Sequence, residues 1–136
     1  MLSLNINKLD HIGIAVESLD KSIPIFEKIL GTKCYKIETI LDQEVKTAFF
    51  KLGGIKIELL ESTSLDGPIA KFIEKKGEGL HHLALAVDST DEALLDAKNL
   101  GIRLIDSISR KGADGLNIGF LNPRSTNNVL IEFCSE

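Results

Sequence analysis

The chain has 136 residues, 43% of them apolar and 26% charged, with a formal net charge of −4. That length suits one domain, since domains mostly run about 100–150 residues. The balance excludes a long disordered region, a collagen-like chain or a coiled-coil rod. No apolar run approaches the roughly 20 residues of a membrane span. Basic residues are scattered rather than striped, which argues against nucleic acid as a partner. Residues 1–11 lack a basic stretch followed by an apolar core, so no secretory leader is expected. Cys34 and Cys134 lie far apart with no CxxC, which suits a reducing cytoplasm.

The opening run alternates: Ile12, Ile14 and Val16 point one way, and His11, Gly13 and Ala15 the other. A helix follows, with Leu19, Ile23, Phe26 and Leu30 at helical spacing and Gly31 as its stop. Pro24 sits awkwardly inside it and predicts a kink or a late start. Strands are expected over 33–40, 46–52 and 56–60, the last two joined by a Gly53-Gly54 hairpin turn. Asp66-Gly67-Pro68 then opens a joining segment with a short helix over 68–76. A second alternating run sets Leu83, Leu85 and Val87 against His82, Ala84 and Ala86. Its helix starts at a capping box, Ser89 with Glu92, and stops at Gly101. Strands are expected over 103–108, 116–121 and 129–133.

The chain repeats itself. LDHIGIAVESLD (9–20) and LHHLALAVDSTD (80–91) share six of twelve positions, and KIELLES (56–62) parallels LIEFCSE (130–136). The plan is two tandem βαβββ modules in a single domain: module 1 about 7–62, a linker with a short helix over 63–78, and module 2 about 79–136. Neither copy is long enough to stand alone, so a shared core is expected.

Each module carries one His and one Glu at matching places: His11 with Glu58, and His82 with Glu132. On the histidine's strand face the next residues are Gly or Ala, which leaves room above. Each Glu lies inside an apolar run, costly to bury unless paired or bound to a cation. If the first and last strands of each module are neighbours, the pseudo-twofold gathers all four. Two imidazoles and two carboxylates suit zinc, cobalt, nickel, manganese or iron(II), with positions left for substrate oxygens. His81 faces the other way on its strand and is read as structural or exposed.

These residues and motifs resemble the vicinal-oxygen-chelate superfamily of glyoxalases, bleomycin-resistance proteins and dioxygenases. Within it, GPIAKFI…GEGLHHLALAVD and the tail GADGLNIGFLNP…VLIEF resemble the methylmalonyl-CoA epimerase family. The resemblance implies an α+β, glyoxalase-like half-open β-barrel with helices outside. It implies one divalent metal ion (Co²⁺, Zn²⁺, Mn²⁺ or Ni²⁺) held by His11, Glu58, His82 and Glu132. It implies epimerisation of an acyl-CoA through an enolate, with Glu132 and Asp42 as the proton carriers, and commonly a homodimer. Asp42 stands where relatives usually carry Glu, and Glu44 lies nearby as a competitor. Asn122 replaces a His, and Asn127-Asn128 replace Gly-Gly. Lys36, Lys46, Lys56, Arg110 and Lys111 are candidates for the CoA moiety. The alternatives are lactoylglutathione lyase (glyoxalase I), disfavoured because Ala15 stands where such relatives commonly carry Arg, and a non-enzymatic binding protein, disfavoured by the absence of Trp.

Overall fold

A computed structural model describes residues 4–136. The described residues form two compact units, 11–81 and 4–10 with 82–136. The division falls inside the first strand, β1 (Lys8–Ala15). Residues ahead of His11 go with the second unit: Asn7 N donates to Ala86 O at 2.8 Å, and Leu4 packs against the cluster that holds Val87 and Leu94.

In the first unit β1 leads to helix α1 (Leu19–Leu30), then β2 (Lys36–Ile40), β3 (Val45–Leu52), β4 (Ile55–Ser62) and helix α2 (Pro68–Lys76). The strands lie in the order β2-β3-β4-β1, with β4 parallel to β1 and antiparallel to β3. Alternation sends Ile12, Ile14, Ala48, Phe50, Ile57 and Leu59 to one face, where they pack against Leu19, Ile23 and Phe26 of α1. Full burial of each Leu or Phe here contributes roughly 1.5–3 kcal/mol. The other face carries Ala15, Val45 and Leu60, covered by Ile69 and Phe72 of α2.

The second unit repeats the plan. β5 (Gly79–Ala86) leads to helix α3 (Thr90–Asn99), β6 (Arg110–Lys111), β7 (Asn117–Phe120) and β8 (Ile131–Ser135). The order is β5-β8-β7-β6, with β8 parallel to β5 and antiparallel to β7. Val87, Phe133 and Leu121 meet Ala93, Leu94 and Ala97 of α3. Ala84, Ile118 and Cys134 pack on the other face.

Several expectations shift. The late start from Pro24 does not occur: Ser18 caps α1, accepting from Lys21 N, and helix runs from Leu19. Pro24 leaves the Asp20 carbonyl without its helical donor, but both residues are exposed, so water can serve it. The strand expected from 33 starts at Lys36, because Glu27 Oε2 of α1 accepts the Cys34 N–H at 3.0 Å. No strand forms over 103–108. Asp106 Oδ2 takes the Phe120 N–H at 2.9 Å, and only Leu104 bridges to Leu121. A side chain there occupies the donor a ladder would use, and pairing resumes only as the two residues of β6. β8 starts at Ile131 rather than 129, since Thr126 Oγ1 holds Val129 O at 2.6 Å in a turn. Asn127 and Asn128 take positive φ of 57° and 66°, a conformation Asn tolerates better than most residues, which suits positions otherwise filled by Gly-Gly. The helix over 68–76, the Gly31 stop and the Ser89 cap form as expected.

Candidate metal centre

Register builds the first half of the site. In the β1–β4 pair, His11 lies opposite Lys56 and Gly13 opposite Glu58. In the β3–β4 pair, Phe49 lies opposite Glu58. Glu58 therefore sits between a residue with no side chain and a phenyl ring. His11 is 4% exposed and Glu58 2%, so neither side chain is served by bulk water. They serve each other: His11 Nδ1 is 3.3 Å from Glu58 Oε2, and Lys56 Nζ lies 3.8 Å from the same oxygen.

The second unit builds the same arrangement from different residues. Glu132 lies opposite Ala84 on one side and Phe120 on the other. His82 is 8% exposed and Glu132 4%, with His82 Nε2 3.6 Å from Glu132 Oε1. The His82 ring meets Phe120 edge-on at 5.7 Å. Both pairs are N/O donor sets inside dry surroundings, the setting in which a divalent cation offsets the cost of a buried carboxylate.

Phe49 and Phe120, which flank the two candidate ligand carboxylates, are neighbours that the sequence reading missed. For Phe49 a signal existed: a two-residue turn at Gly53-Gly54 sets residue 49 opposite 58. For Phe120 none did, because the connection from 121 to 130 is irregular.

Each unit also holds a cation over its phenyl ring. Lys36 Nζ lies 4.5 Å from the Phe49 centroid, and the Arg110 guanidinium 5.9 Å from that of Phe120. Of the candidates for a CoA contact, Lys36 and Lys56 share the face of Glu58, since they pair through Phe49 and Lys51. Lys46 is on the opposite parity, paired with Glu61 and Thr39. Arg110 is held by Asp106 at 3.5 Å, and Lys111 Nζ donates to Gly115 O.

Asp42 is exposed, in a single 3-10 turn over Leu41–Gln43. Glu44 follows with a φ of 53°, also exposed. β3 then begins at Val45, opposite Ser62 and four residues from Phe49, roughly 13 Å along the strand. The register alone does not carry Asp42 to the level of Glu58. His81 is half-buried, edge-on to Phe72 at 4.9 Å. Burial, with a smaller contribution from Lys76, lowers its pKa from 6.5 to about 4. It is a packing residue, as its strand parity implies.

Ala15 is fully buried against Val45, Leu60 and Ile69. An arginine there would have to displace α2. Among the described residues no helix is long and apolar enough to cross a membrane.

Comparison with known proteins follows the same lines. The Glyoxalase/Bleomycin resistance protein/Dioxygenase superfamily model matches residues 10–120. Bacillus subtilis YqjC is 44% identical over 94% of this chain and 91% of its own. The human mitochondrial methylmalonyl-CoA epimerase is 35% identical over 94% of this chain and 73% of its own. A Streptomyces coelicolor methylmalonyl-CoA epimerase, solved as a substituted form in complex with 2-nitronate-propionyl-CoA, is 31% identical with a TM-score of 0.92, covering 97% of this chain and 96% of that one. The α+β, glyoxalase-like fold that the family resemblance implies is the fold this chain adopts.

Proposed function

Because the chain belongs to the Glyoxalase/Bleomycin resistance protein/Dioxygenase superfamily, and within it to the family of the methylmalonyl-CoA epimerases, we propose that it is a metal-dependent epimerase interconverting the stereoisomers of methylmalonyl-CoA. One observation carries the metal part of this reading. Each unit by itself presents a buried His–Glu pair at the matching place, at 3.3 Å and 3.6 Å, flanked by a small residue and a phenylalanine. A single unit would need no such pair, and duplication of the whole frame supports a shared use.

In this reading the two modules work as one domain, and His11, Glu58, His82 and Glu132 hold one divalent ion: cobalt, zinc, manganese or nickel. The donor set fits: two neutral imidazoles and two carboxylates neutralise a divalent charge and tolerate all four ions. When bound, the ion supplies Lewis-acid charge to substrate oxygens while the carbon between thioester and carboxylate loses its proton. The chain's own groups move that proton. The Glu132 carboxylate takes it from one face, and the Asp42 carboxyl returns one to the other. The phenyl rings of Phe49 and Phe120 exclude water beside the two ligand carboxylates, which strengthens their hold on a cation. The free thiols of Cys34 and Cys134 suit a cytoplasmic enzyme, and a homodimer follows the habit of the superfamily.

Lactoylglutathione lyase is the competing chemistry on the same ligands. The packing of Ala15 beneath Ile69 favours the epimerase, since a glutathione carboxylate finds no arginine there. The test is α-proton exchange of methylmalonyl-CoA in D₂O by protein loaded with Co²⁺ or Mn²⁺, run beside lactoylglutathione formation. Exchange with the CoA thioester is expected. Lactoylglutathione turnover without that exchange would overturn the reading.

A further inference from the structure

We propose that the hydroxyl of Thr47 is a substrate-binding group that donates a hydrogen bond to the carboxylate of the acyl chain, and so selects malonyl-type thioesters over simple acyl thioesters. This rests on the epimerase reading for the identity of the substrate, and on the first unit alone for the place. Thr47 lies two residues before Phe49 on β3, so it shares the face of Glu58, roughly 7 Å along the strand from its level. Leu60 stands opposite it on β4, and Glu38 on β2. Val45 and Leu60 pack under α2, so Thr47 marks the boundary between the covered part of this face and the part that carries Glu58.

Thr47 is 1% exposed, and its Oγ1 finds no hydrogen-bond partner among the described residues. Glu38 reaches Lys36, 3.7 Å away, rather than this hydroxyl. A buried hydroxyl left unpaired costs the fold more than a methyl of the same shape would. The repeat shows that the frame needs no oxygen there. The matching position on β7 is Ile118, two residues before Phe120 and opposite Cys134, as Thr47 is opposite Leu60. Ile118 is 3% exposed and wholly apolar. Both residues are β-branched, the shape that suits a pleated, half-buried surface, so packing accounts for the branch and not for the oxygen. The oxygen then answers to a ligand. A hydroxyl donor prefers an anionic acceptor, since O–H···O⁻ bonds are shorter and stronger than neutral ones. A malonyl-type acyl group carries such a carboxylate beside its acidic carbon, and a simple acyl group does not. Bulk water does not reach the Thr47 oxygen to compete, so the bond keeps its strength.

Thr47→Val removes the oxygen and keeps the shape, whereas Thr47→Ser keeps the oxygen. Calorimetry on metal-loaded protein compares methylmalonyl-CoA with propionyl-CoA, the same thioester without the carboxylate. In Thr47→Val the Kd for methylmalonyl-CoA is expected to rise about tenfold or more, the worth of one charge-assisted bond, with propionyl-CoA unchanged. Thr47→Ser should restore most of the affinity. Thermal unfolding is the independent reading: Thr47→Val should melt no lower than wild type, because it loses an unpaired polar atom. A Thr47→Val midpoint several degrees lower would show that the hydroxyl serves the fold, and would overturn the proposal. Equal weakening of both thioesters, or of neither, would overturn it too. α-Proton exchange by wild type beside an unaltered Kd in Thr47→Val would remove Thr47 and leave the epimerase reading standing. Carboxylate-dependent binding that needs the hydroxyl, in a protein without exchange, would support Thr47 and count against the epimerase reading alone.

Discussion

Glu61 Oε1 accepts the Leu19 N–H at 2.7 Å, so the last residue but one of β4 holds the first residue of α1. The second unit does the same with a shorter side chain: Ser135 Oγ accepts the Thr90 N–H at 3.1 Å. Glu61 and Ser135 are matching positions of the repeat, as are Leu19 and Thr90. The first N–H groups of a helix have no partner inside it, and a strand-borne acceptor both satisfies one and fixes the helix against the sheet. Glu61→Ala is therefore expected to cost about 1–2 kcal/mol, the range for losing a helix-terminal acceptor. Urea unfolding measures it; a loss below a few tenths would mean that water replaces the carboxylate.

Glu132→Gln keeps the shape and removes the charge. It is expected to lower kcat by about 10²-fold or more, the usual worth of a general base, and to weaken metal retention. His82→Ala should lower bound metal, with turnover falling only through that loss. Elemental analysis of protein prepared without chelator, together with isotope exchange, separates the two effects. Full metal and full activity in Glu132→Gln would remove Glu132 from both roles.

Asp42 and Glu44 can be told apart by opposite substitutions. Asp42→Asn should lower kcat about 10²-fold. Glu44 sits at a positive φ of 53°, where a side chain strains the backbone, so Glu44→Gly should raise Tm by a few degrees and leave turnover intact. A drop in kcat with Glu44→Gly and none with Asp42→Asn would transfer the second proton to Glu44.

His81 gives the fold a pH slope. Its folded pKa of about 4 lies below the ordinary 6.5, because burial against Phe72 disfavours the cation and Lys76 adds to this. Between those values the unfolded chain binds more protons than the folded one. Stability should then be full above about pH 6.5 and decline as pH falls toward 4. Urea midpoints across that window check it, and His81→Phe should flatten this part of the profile.

Gly119 of β7 packs directly beneath Leu94 of α3. A Cβ there would stand 2.6 Å from Leu94 Cδ1, and Leu94 is itself fully buried. Gly119→Ala should cost about 1–3 kcal/mol by overpacking, read as a lower denaturation midpoint. A neutral result would mean that α3 shifts outward.

What residue order determined by itself was parity and recurrence. Period-two alternation told which residues of β1 and β5 share a face, helical spacing and Ser or Gly caps bounded α1 and α3, and the repeat singled out His11, Glu58, His82 and Glu132. Local rules fix these because they depend on neighbours a few positions away. Tertiary structure alone decided which strands line up at which register. That choice set Phe120 opposite Glu132, collected Lys36, Lys51 and Lys56 on one face, and left only the Leu104–Leu121 bridge where a strand was expected over 103–108. The physical reason is that alternation specifies a side of the sheet but not a partner. The partner depends on where a distant side chain, such as Asp106 or Glu27, captures a backbone N–H that a ladder would otherwise use.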